Sequence, residues 1–227
     1  MKPSVLSIAN TAGGSGKTTL AHALSVAFTE YGKKTLLIDL DPRASLTFRV
    51  GRENSRKTIS DYFDSSLTSE DLDPLTERID FIASDSRSGF GYSEADLQAL
   101  INTLPKQYDL IVIDTPSDIN SGLMAALNVA DLVLIPYSQT IHHHRGISQI
   151  HKLAPDTKKS LLRVGKESAI ADQFKDWHHL DGQCSVADEI GSAELTELSV
   201  LSTSKNSLIA GEIREAAYSV LEELGID

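Results

Sequence analysis

The run GGSGKTT at residues 13–19 has the residue types and order that bind the phosphates of a nucleotide. The apolar segment SVLSIA precedes it, and an apolar segment with helical spacing follows it. Between a strand and a helix, glycine amides can surround a phosphate, and a lysine and a hydroxyl can reach the terminal phosphates and Mg²⁺. We therefore predict a nucleotide site made of Gly13, Gly14, Ser15, Gly16, Lys17, Thr18 and Thr19.

Three aspartates at the ends of predicted strands could serve the metal and the attacking water. Asp114 ends LIVID, which has the form of a Walker B strand whose carboxylate holds Mg²⁺. Asp39 and Asp41, in LIDLDP, are two residues apart, so they point to the same side of a strand end. Together with the glycine-rich run, these carboxylates predict a site for a nucleoside triphosphate and magnesium.

Short apolar runs alternate with helical segments along the chain. Predicted strands cover residues 4–9, 34–41, 79–84, 108–116, 130–138, 160–165 and 197–202, and the main predicted helices between them cover residues 17–31, 93–104 and 146–153. This order predicts an α/β fold with a doubly wound, mainly parallel sheet flanked by helices and with ligands at the carboxyl ends of the strands. Residues 168–197, which show no clear periodicity, are interpreted as a helical excursion before the last strand.

Composition limits the classes of partner. The formal net charge is −11, so binding to nucleic acid would need a local basic patch. Cys184 is the only cysteine, which excludes an internal disulfide and a cysteine-pair metal site. No apolar run approaches the roughly 20 residues of a membrane-spanning helix. We expect a cytoplasmic protein whose residues 1–227 form one domain.

Four segments in this order, GGSGKTT, LLIDLDPRAS, YDLIVIDTPSD and ADLVLIPYSQT, resemble the deviant Walker A ATPases of the ParA/MinD group. The resemblance is specific from Ser4 to about Lys152. It implies a P-loop NTPase fold, ATP and Mg²⁺ as cofactors, and a homodimer that buries ATP between its subunits. It also implies that Lys17 binds phosphate and that Asp41 orients or deprotonates the attacking water. The metal residues that it implies are Thr18, Asp39 and Asp114.

The same resemblance implies a cellular role. Members of this group position plasmids, chromosomes, carboxysome-like bodies or other cargo, through slow ATP hydrolysis that an adaptor protein (ParB- or McdB-like) stimulates. Relatives without a membrane anchor bind DNA non-specifically as the ATP dimer, which implies a nucleoid-associated ATP form. The C-terminal segment has an acidic face, which argues against membrane targeting. The candidate DNA contacts are Lys158, Lys159, Arg163 and Lys166.

Ala12 departs from the pattern of the group. The usual loop has a lysine at this position, directly before the two glycines, which reaches the phosphates of the partner subunit. Hydrolysis could then be slow with ATP holding the dimer together, or another basic residue could substitute, or hydrolysis could be disabled. This chain resembles the carboxysome-positioning relatives called McdA. One branch of them also lacks that lysine and uses a lysine from the later half of its chain. Lys152 is the preferred substitute here, with Arg145 as the other candidate.

Three further interpretations remain at the sequence level. Arg43 stands where the group commonly has glutamine, and it could contact phosphate, the partner subunit or neither. The consecutive histidines 142–144 cannot all face one ion on a regular helix or strand. The alternatives to a positioning ATPase are a small-molecule ATP-dependent kinase or ligase on the same fold, and a nucleotide-gated binding module with negligible hydrolysis.

Overall fold

The computed structural model describes residues 2–64, 72, 74–104, 107–165 and 170–226. Within them, one seven-stranded sheet has the order β3-β2-β4-β1-β5-β6-β7, and all neighbouring strands are parallel. The strands are β1 (Ser4–Ile8), β2 (Thr35–Asp39), β3 (Asp80–Ile82), β4 (Leu110–Asp114), β5 (Leu132–Tyr137), β6 (Lys159–Val164) and β7 (His179–Cys184). The prediction of a doubly wound, mainly parallel sheet is confirmed.

Helices connect the strands and cover both faces of the sheet. They are α1 (Lys17–Glu30), α2 (Ser45–Arg49), α3 (Ile59–Asp64), α4 (Glu94–Thr103), α5 (Ser121–Val129), α6 (Ile141–Leu153), α7 (Asp188–Glu194), α8 (Val200–Thr203) and α9 (Leu208–Leu224). Side chains begin several of them by accepting an early backbone N–H, as Asn120 does for α5 and Ser207 for α9. No described helix is both long and apolar enough to cross a bilayer.

The central strands are buried on both faces because their side chains alternate between two apolar layers. In β4, Leu110 and Val112 pack in the layer of α1 and α9, whereas Ile111 and Ile113 pack in the layer of α4 and α5. This accounts for the continuous apolar run LIVID. The parallel register then places Asp39 and Asp114 side by side as Cα partners at the carboxyl ends of β2 and β4.

Two predictions for the later part of the chain are wrong. Residues 200–202 of the predicted last strand belong to α8, since the Ser199 side chain caps the N–H of Leu201. The seventh strand is instead β7, inside the segment interpreted as a helical excursion. Its sequence HLDGQC is mostly polar because β7 is an edge strand, so periodicity could not reveal it.

The helix predicted at residues 146–153 is real, but it begins earlier than the apolar spacing indicated. The Thr140 hydroxyl accepts the N–H of His143 and starts α6 at Ile141. The start of the helix carries consecutive histidines and an arginine. Because these residues are polar, the hydrophobic pattern did not include this turn. The earlier start brings Arg145 into the same helix as Lys152.

Candidate functional site

The glycine-rich loop joins the carboxyl end of β1 to α1. Gly14 and Gly16 have φ angles of +71° and +88°, a backbone conformation that strains residues with a Cβ. Among the described residues, no protein acceptor pairs with the amide N–H of residues 13–16. These donors border a cavity of about 330 Å³, here called the phosphate cavity, which residues 13–19, Asp41, Arg43, Ser45 and Ser117 line. The loop can therefore donate several hydrogen bonds to a bound anion.

Lys17 is the first residue of α1, and its side chain lies in the phosphate cavity. It is only 6% exposed, and its Nζ donates to Ser117 Oγ at 2.8 Å. Burial lowers the pKa of Lys17, while Asp114 and Asp41 oppose that shift. Ser117 is a residue that sequence reasoning missed, although it directly follows the Thr-Pro turn after β4. A phosphate would give the Lys17 ammonium a stronger acceptor than this hydroxyl.

Asp39 is fully buried and is held by the loop that follows β2. Its Oδ2 accepts the N–H and the hydroxyl of Thr47, at 2.9 and 2.8 Å, and its Oδ1 accepts the N–H of Asp41 at 3.0 Å. Burial nevertheless raises the pKa of Asp39 to about 6. Thr47 was not predicted, and it fixes the orientation of this carboxylate.

Asp114 is equally buried, and within the described part of the chain neither carboxylate oxygen has a partner at full hydrogen-bonding geometry, although the Thr18 hydroxyl lies close to it. Its pKa is raised to about 8, mainly by burial and then by the negative charge of Asp39, while the Thr18 hydroxyl and the Lys17 ammonium oppose the shift. A native buried polar atom without a partner needs an explanation, and a cation supplies one. Mg²⁺ fits this donor set, because it is commonly held by one or two carboxylates, water and substrate phosphates.

Magnesium does not require a dense ligand cluster. Within the described ranges, no group of three or more His, Cys, Asp or Glu side chains could hold a metal. The Nδ1 atom of His143 is already used in a hydrogen bond, because it accepts the backbone N–H of Ser138, in the loop after β5, at 2.8 Å. The consecutive histidines are therefore part of the capped start of α6.

Asp41 and Arg43 face the loop from the other side of the phosphate cavity. Arg43 Nε lies 3.1 and 3.2 Å from the two Asp41 carboxylate oxygens, and Arg43 Nη2 lies 2.9 Å from Oδ2. Asp41 is 5% exposed, whereas the Arg43 side chain is 57% exposed. Asp41, predicted to act on the attacking water, therefore lies in the cavity with both oxygens already bound to Arg43.

Ala12 borders a second cavity of about 640 Å³, here called the Ala12 cavity. Its backbone N–H donates to Asn10 Oδ1 at 2.9 Å, and Asn10 Nδ2 donates to Pro136 O at 2.8 Å. Arg145 and Gln149 of α6 line this cavity, and Gln149 also accepts the Thr11 hydroxyl. The predicted substitute Lys152 is exposed one turn beyond Gln149 and does not line the cavity.

A third, mainly apolar cavity of about 310 Å³ adjoins the opposite side of the loop. Gly14, Gly16 and Thr19 border it, together with Val164 at the end of β6 and residues of the loop after β7, among them Ser185 and Val186. The Ser185 hydroxyl donates to Glu212 Oε1 at 2.8 Å, which ties this wall to α9. The sequence predicted the strand that holds Val164, but no motif pointed to Ser185 or Val186, because they lie in a loop.

The structure describes three of the four candidate DNA contacts, which are Lys158, Lys159 and Arg163. Lys159 and Arg163 lie near opposite ends of β6. Lys158 pairs with Glu223 at 2.7 Å, and Arg163 donates to Gln183 at 2.7 Å. Lys166 lies outside the described residues. DNA contact by these side chains stays a prediction, and the pairing with Glu223 reduces the free charge at one of them.

Gly146 of α6 allows the helix to lie close to Asn10, just before the glycine-rich loop. A Cβ at this position would lie 1.9 Å from Asn10 Oδ1, the atom that holds the N–H of Ala12. We expect Gly146→Ala to destabilise the protein by about 1–3 kcal/mol in urea denaturation, because α6 must shift. Gly211→Ala in α9, where a Cβ meets nothing within 4 Å, is the matched control and is expected to stabilise by about 0.5–1 kcal/mol. Equal effects of the two substitutions would contradict the proposed close contact.

Comparison with known proteins identifies relatives of this chain. A model of the AAA_31 family, described as an AAA domain, matches residues 3–164. The maintenance of carboxysome distribution protein A of Synechococcus elongatus is 33% identical over 140 residues, which are 56% of this chain and 55% of that protein. The chromosome partitioning protein ParA of Caulobacter vibrioides is 29% identical over 174 residues, 69% of this chain and 64% of that protein.

The fold is also found in solved structures. The septum site-determining protein MinD of Pyrococcus horikoshii, in complex with Mg-ADP, has a TM-score of 0.83 and 22% identity, covering 99% of this chain and 98% of that one. Because the family model matches well over half of the chain, and the relatives include ParA- and MinD-type proteins, the chain belongs to the AAA_31 family and to its ParA/MinD-type P-loop ATPases.

Proposed function

We propose that this protein is a ParA-like ATPase that binds ATP with Mg²⁺, forms a homodimer with ATP, binds DNA non-specifically, and positions or segregates a cargo with an adaptor protein. The cargo class is a plasmid, a chromosome or a carboxysome-like body. The observation that carries the proposal is the phosphate cavity, which is bordered by loop amides that have no acceptor among the described residues. Beside it, the buried carboxylate of Asp114 interacts with Lys17 and Thr18 of the cavity wall.

The residues of the cavity suit a nucleoside triphosphate. The amides of residues 13–16 and the Lys17 ammonium would bind phosphate oxygens, and Thr18, Asp39 and Asp114 would hold the metal. ATP supplies the phosphoryl group, and Mg²⁺ neutralises charge that develops on its oxygens. Asp41, which lines the same cavity, would orient an attacking water once Arg43 releases its carboxylate. The apolar cavity beside Gly16 offers a site of suitable character for the base.

The face around the Ala12 cavity supports dimerisation. Ile119 lines it and is 53% exposed, and Ile141, which lies in the chain between the lining residues Thr140 and His142, is 78% exposed. Exposed apolar side chains around a polar depression are typical of protein interfaces. A second copy on this face would lie next to the phosphate cavity, because Gly13 and Ser117 line both cavities. Nucleotide could then link the two subunits.

DNA binding is the part of the proposal that charge opposes most. With a net charge of −11, attraction must be local, and the candidates are Lys158, Lys159, Arg163 and Lys166. Two copies in a dimer would double the number of phosphate contacts. Such binding should weaken steeply with salt, since each phosphate contact releases counterions. Because hydrolysis would be slow without the adaptor, the ATP form would stay on DNA. Stimulation by the adaptor would then end the DNA-bound state.

The proposal is tested by comparing the wild type with Lys17→Ala in light scattering and in DNA retention at low and high salt. We expect the wild type to dimerise and to be retained on DNA with Mg·ATP, and Lys17→Ala to remain monomeric and unretained. Lys175→Ala, which removes an exposed lysine paired with Asp172, is the matched control and should behave as the wild type. Wild-type protein that stays monomeric and unretained with Mg·ATP would refute the proposal.

A second candidate function is a small-molecule kinase or ligase. The Ala12 cavity adjoins the phosphate cavity and carries Asp118, His142 and Arg145, which could bind a charged substrate. Turnover that responds to a metabolite, but not to DNA or an adaptor, would favour this function. A nucleotide-gated binding module is favoured instead if single-turnover measurements detect no ATP cleavage. The physical reason for that outcome would be the missing positive charge at Ala12, where relatives have a lysine.

A further inference from the structure

Arg43 forms a planar two-point contact with Asp41 at the edge of the phosphate cavity. The guanidinium Nε and Nη2 face both carboxylate oxygens, at 2.9 to 3.2 Å. Both residues line the cavity together with Lys17, and no other Lys or Arg of the described ranges does so. The positive charge of Arg43 also contributes to lowering the pKa of Lys17, so the two cations act on the same space.

The side chain of Arg43 can move while its backbone stays in place. The N–H of Arg43 donates to Asp41 Oδ1 at 3.0 Å, and the N–H of Ala44 donates to Asp41 O at 2.8 Å. Asp39 holds the same loop, through the N–H of Asp41. In contrast, the Arg43 side chain is 57% exposed and, in the described structure, has Asp41 as its only hydrogen-bond partner. Release of the guanidinium would leave Asp41 oriented by the backbone.

A terminal phosphate competes directly for this guanidinium. Arginine binds phosphate and carboxylate in the same two-point manner, and phosphate brings more oxygens and more negative charge. We propose that Arg43 senses the terminal phosphate of a bound nucleoside triphosphate: it covers Asp41 in the nucleotide-free protein and transfers to that phosphate, which frees Asp41. This inference rests on the proposed function, since it needs a triphosphate in the phosphate cavity.

The transfer would bring a second cation, besides Lys17, to the terminal phosphate from within the same subunit. It would compensate for the lysine that relatives have at the position of Ala12. It would also separate triphosphate from diphosphate, because a diphosphate lacks the group that draws Arg43 away from Asp41. Arg43 is therefore assigned as a phosphate-binding and specificity residue. Asp41 becomes available to water only in the triphosphate state.

The test uses calorimetry to measure the affinity of the 227-residue protein for two nucleotides in the presence of Mg²⁺. The nucleotides are the ATP analogue AMPPNP and ADP. We expect Arg43→Gln to weaken AMPPNP binding about 10-fold or more and ADP binding by less than about 3-fold. Arg43→Lys, which keeps the charge but loses the two-point geometry, should fall between Arg43→Gln and the wild type. Arg87→Gln, which removes a half-exposed arginine bound to Asp61 and Asp85 outside the cavity, is the matched control and should leave both affinities unchanged.

The outcomes separate this inference from the proposed function. If the wild type binds neither nucleotide, the proposed function fails as well. If the wild type binds both, but Arg43→Gln changes the two affinities by the same factor or not at all, only the Arg43 assignment is overturned. An Arg43→Lys affinity equal to that of the wild type would overturn the two-point contact. Thermal denaturation of each variant shows whether a loss of binding reflects a loss of folding.

Discussion

Asp114→Asn is expected to stabilise the nucleotide-free protein at pH 8 and to remove the Mg²⁺-dependent part of its ATP affinity. Burial and the neighbouring Asp39 raise the pKa of Asp114 to about 8, from an ordinary value of 3.8. Between these pH values the folded protein holds a proton that the unfolded chain has released. Its stability therefore falls as the pH rises from about 4 to about 8. Asparagine has a similar shape and no charge, so it avoids this loss.

The stabilising effect should be on the order of 2 kcal/mol at pH 8 and should shrink towards pH 5. Urea denaturation at the two pH values measures it, and Asp176→Asn, an exposed aspartate, is the control. Mg²⁺ binding needs the ionised carboxylate, so wild-type affinity for Mg·ATP should increase as the pH rises from 6 to 8. An Asp114→Asn protein that is less stable than the wild type at pH 8 would contradict the account of Asp114 as a buried charge without a partner.

The parts of the site that the sequence predicted are those set by local rules. The glycine run needed only its flanking strand and helix, and the juxtaposition of Asp39 with Asp114 followed from buried parallel strands that end in carboxylates. The fold class followed from the same alternation of strands and helices. In each case the signal lies within a few consecutive residues.

The remaining parts either lack a hydrophobic pattern or depend on geometry and contacts that the sequence leaves open. The edge strand β7 has no apolar alternation, and α8 replaced a predicted strand because Ser199 caps it. Ser117 as the partner of Lys17, and the wall formed by Val164 and Ser185, arise only when separate loops meet around residues 13–19. The pairing of Arg43 with Asp41 depends on the turn between them, whose geometry the sequence does not specify.

Ala12→Lys is expected to raise the rate of ATP cleavage by about 100-fold in single-turnover measurements. The resemblance implies that a lysine at this position reaches the phosphates of the partner subunit, and a cation supplied in trans can contribute about 10³–10⁵ in rate. We expect less than that range, because Arg43 already supplies a cation within the subunit. The substitution should be accommodated, since Ala12 borders the 640 Å³ Ala12 cavity, where Asp118 offers an opposite charge.

The charge, rather than the size, of the new side chain should produce this gain. Ala12→Met fills a similar volume without charge and is expected to leave the rate unchanged. Action in trans also makes the gain depend on protein concentration, because it needs the dimer. The Ala12→Lys rate should therefore fall to that of the wild type on dilution into the monomeric range, as followed by light scattering. A gain that persists in monomers would instead place the new ammonium in its own subunit's phosphate cavity, which Gly13 connects to the Ala12 cavity.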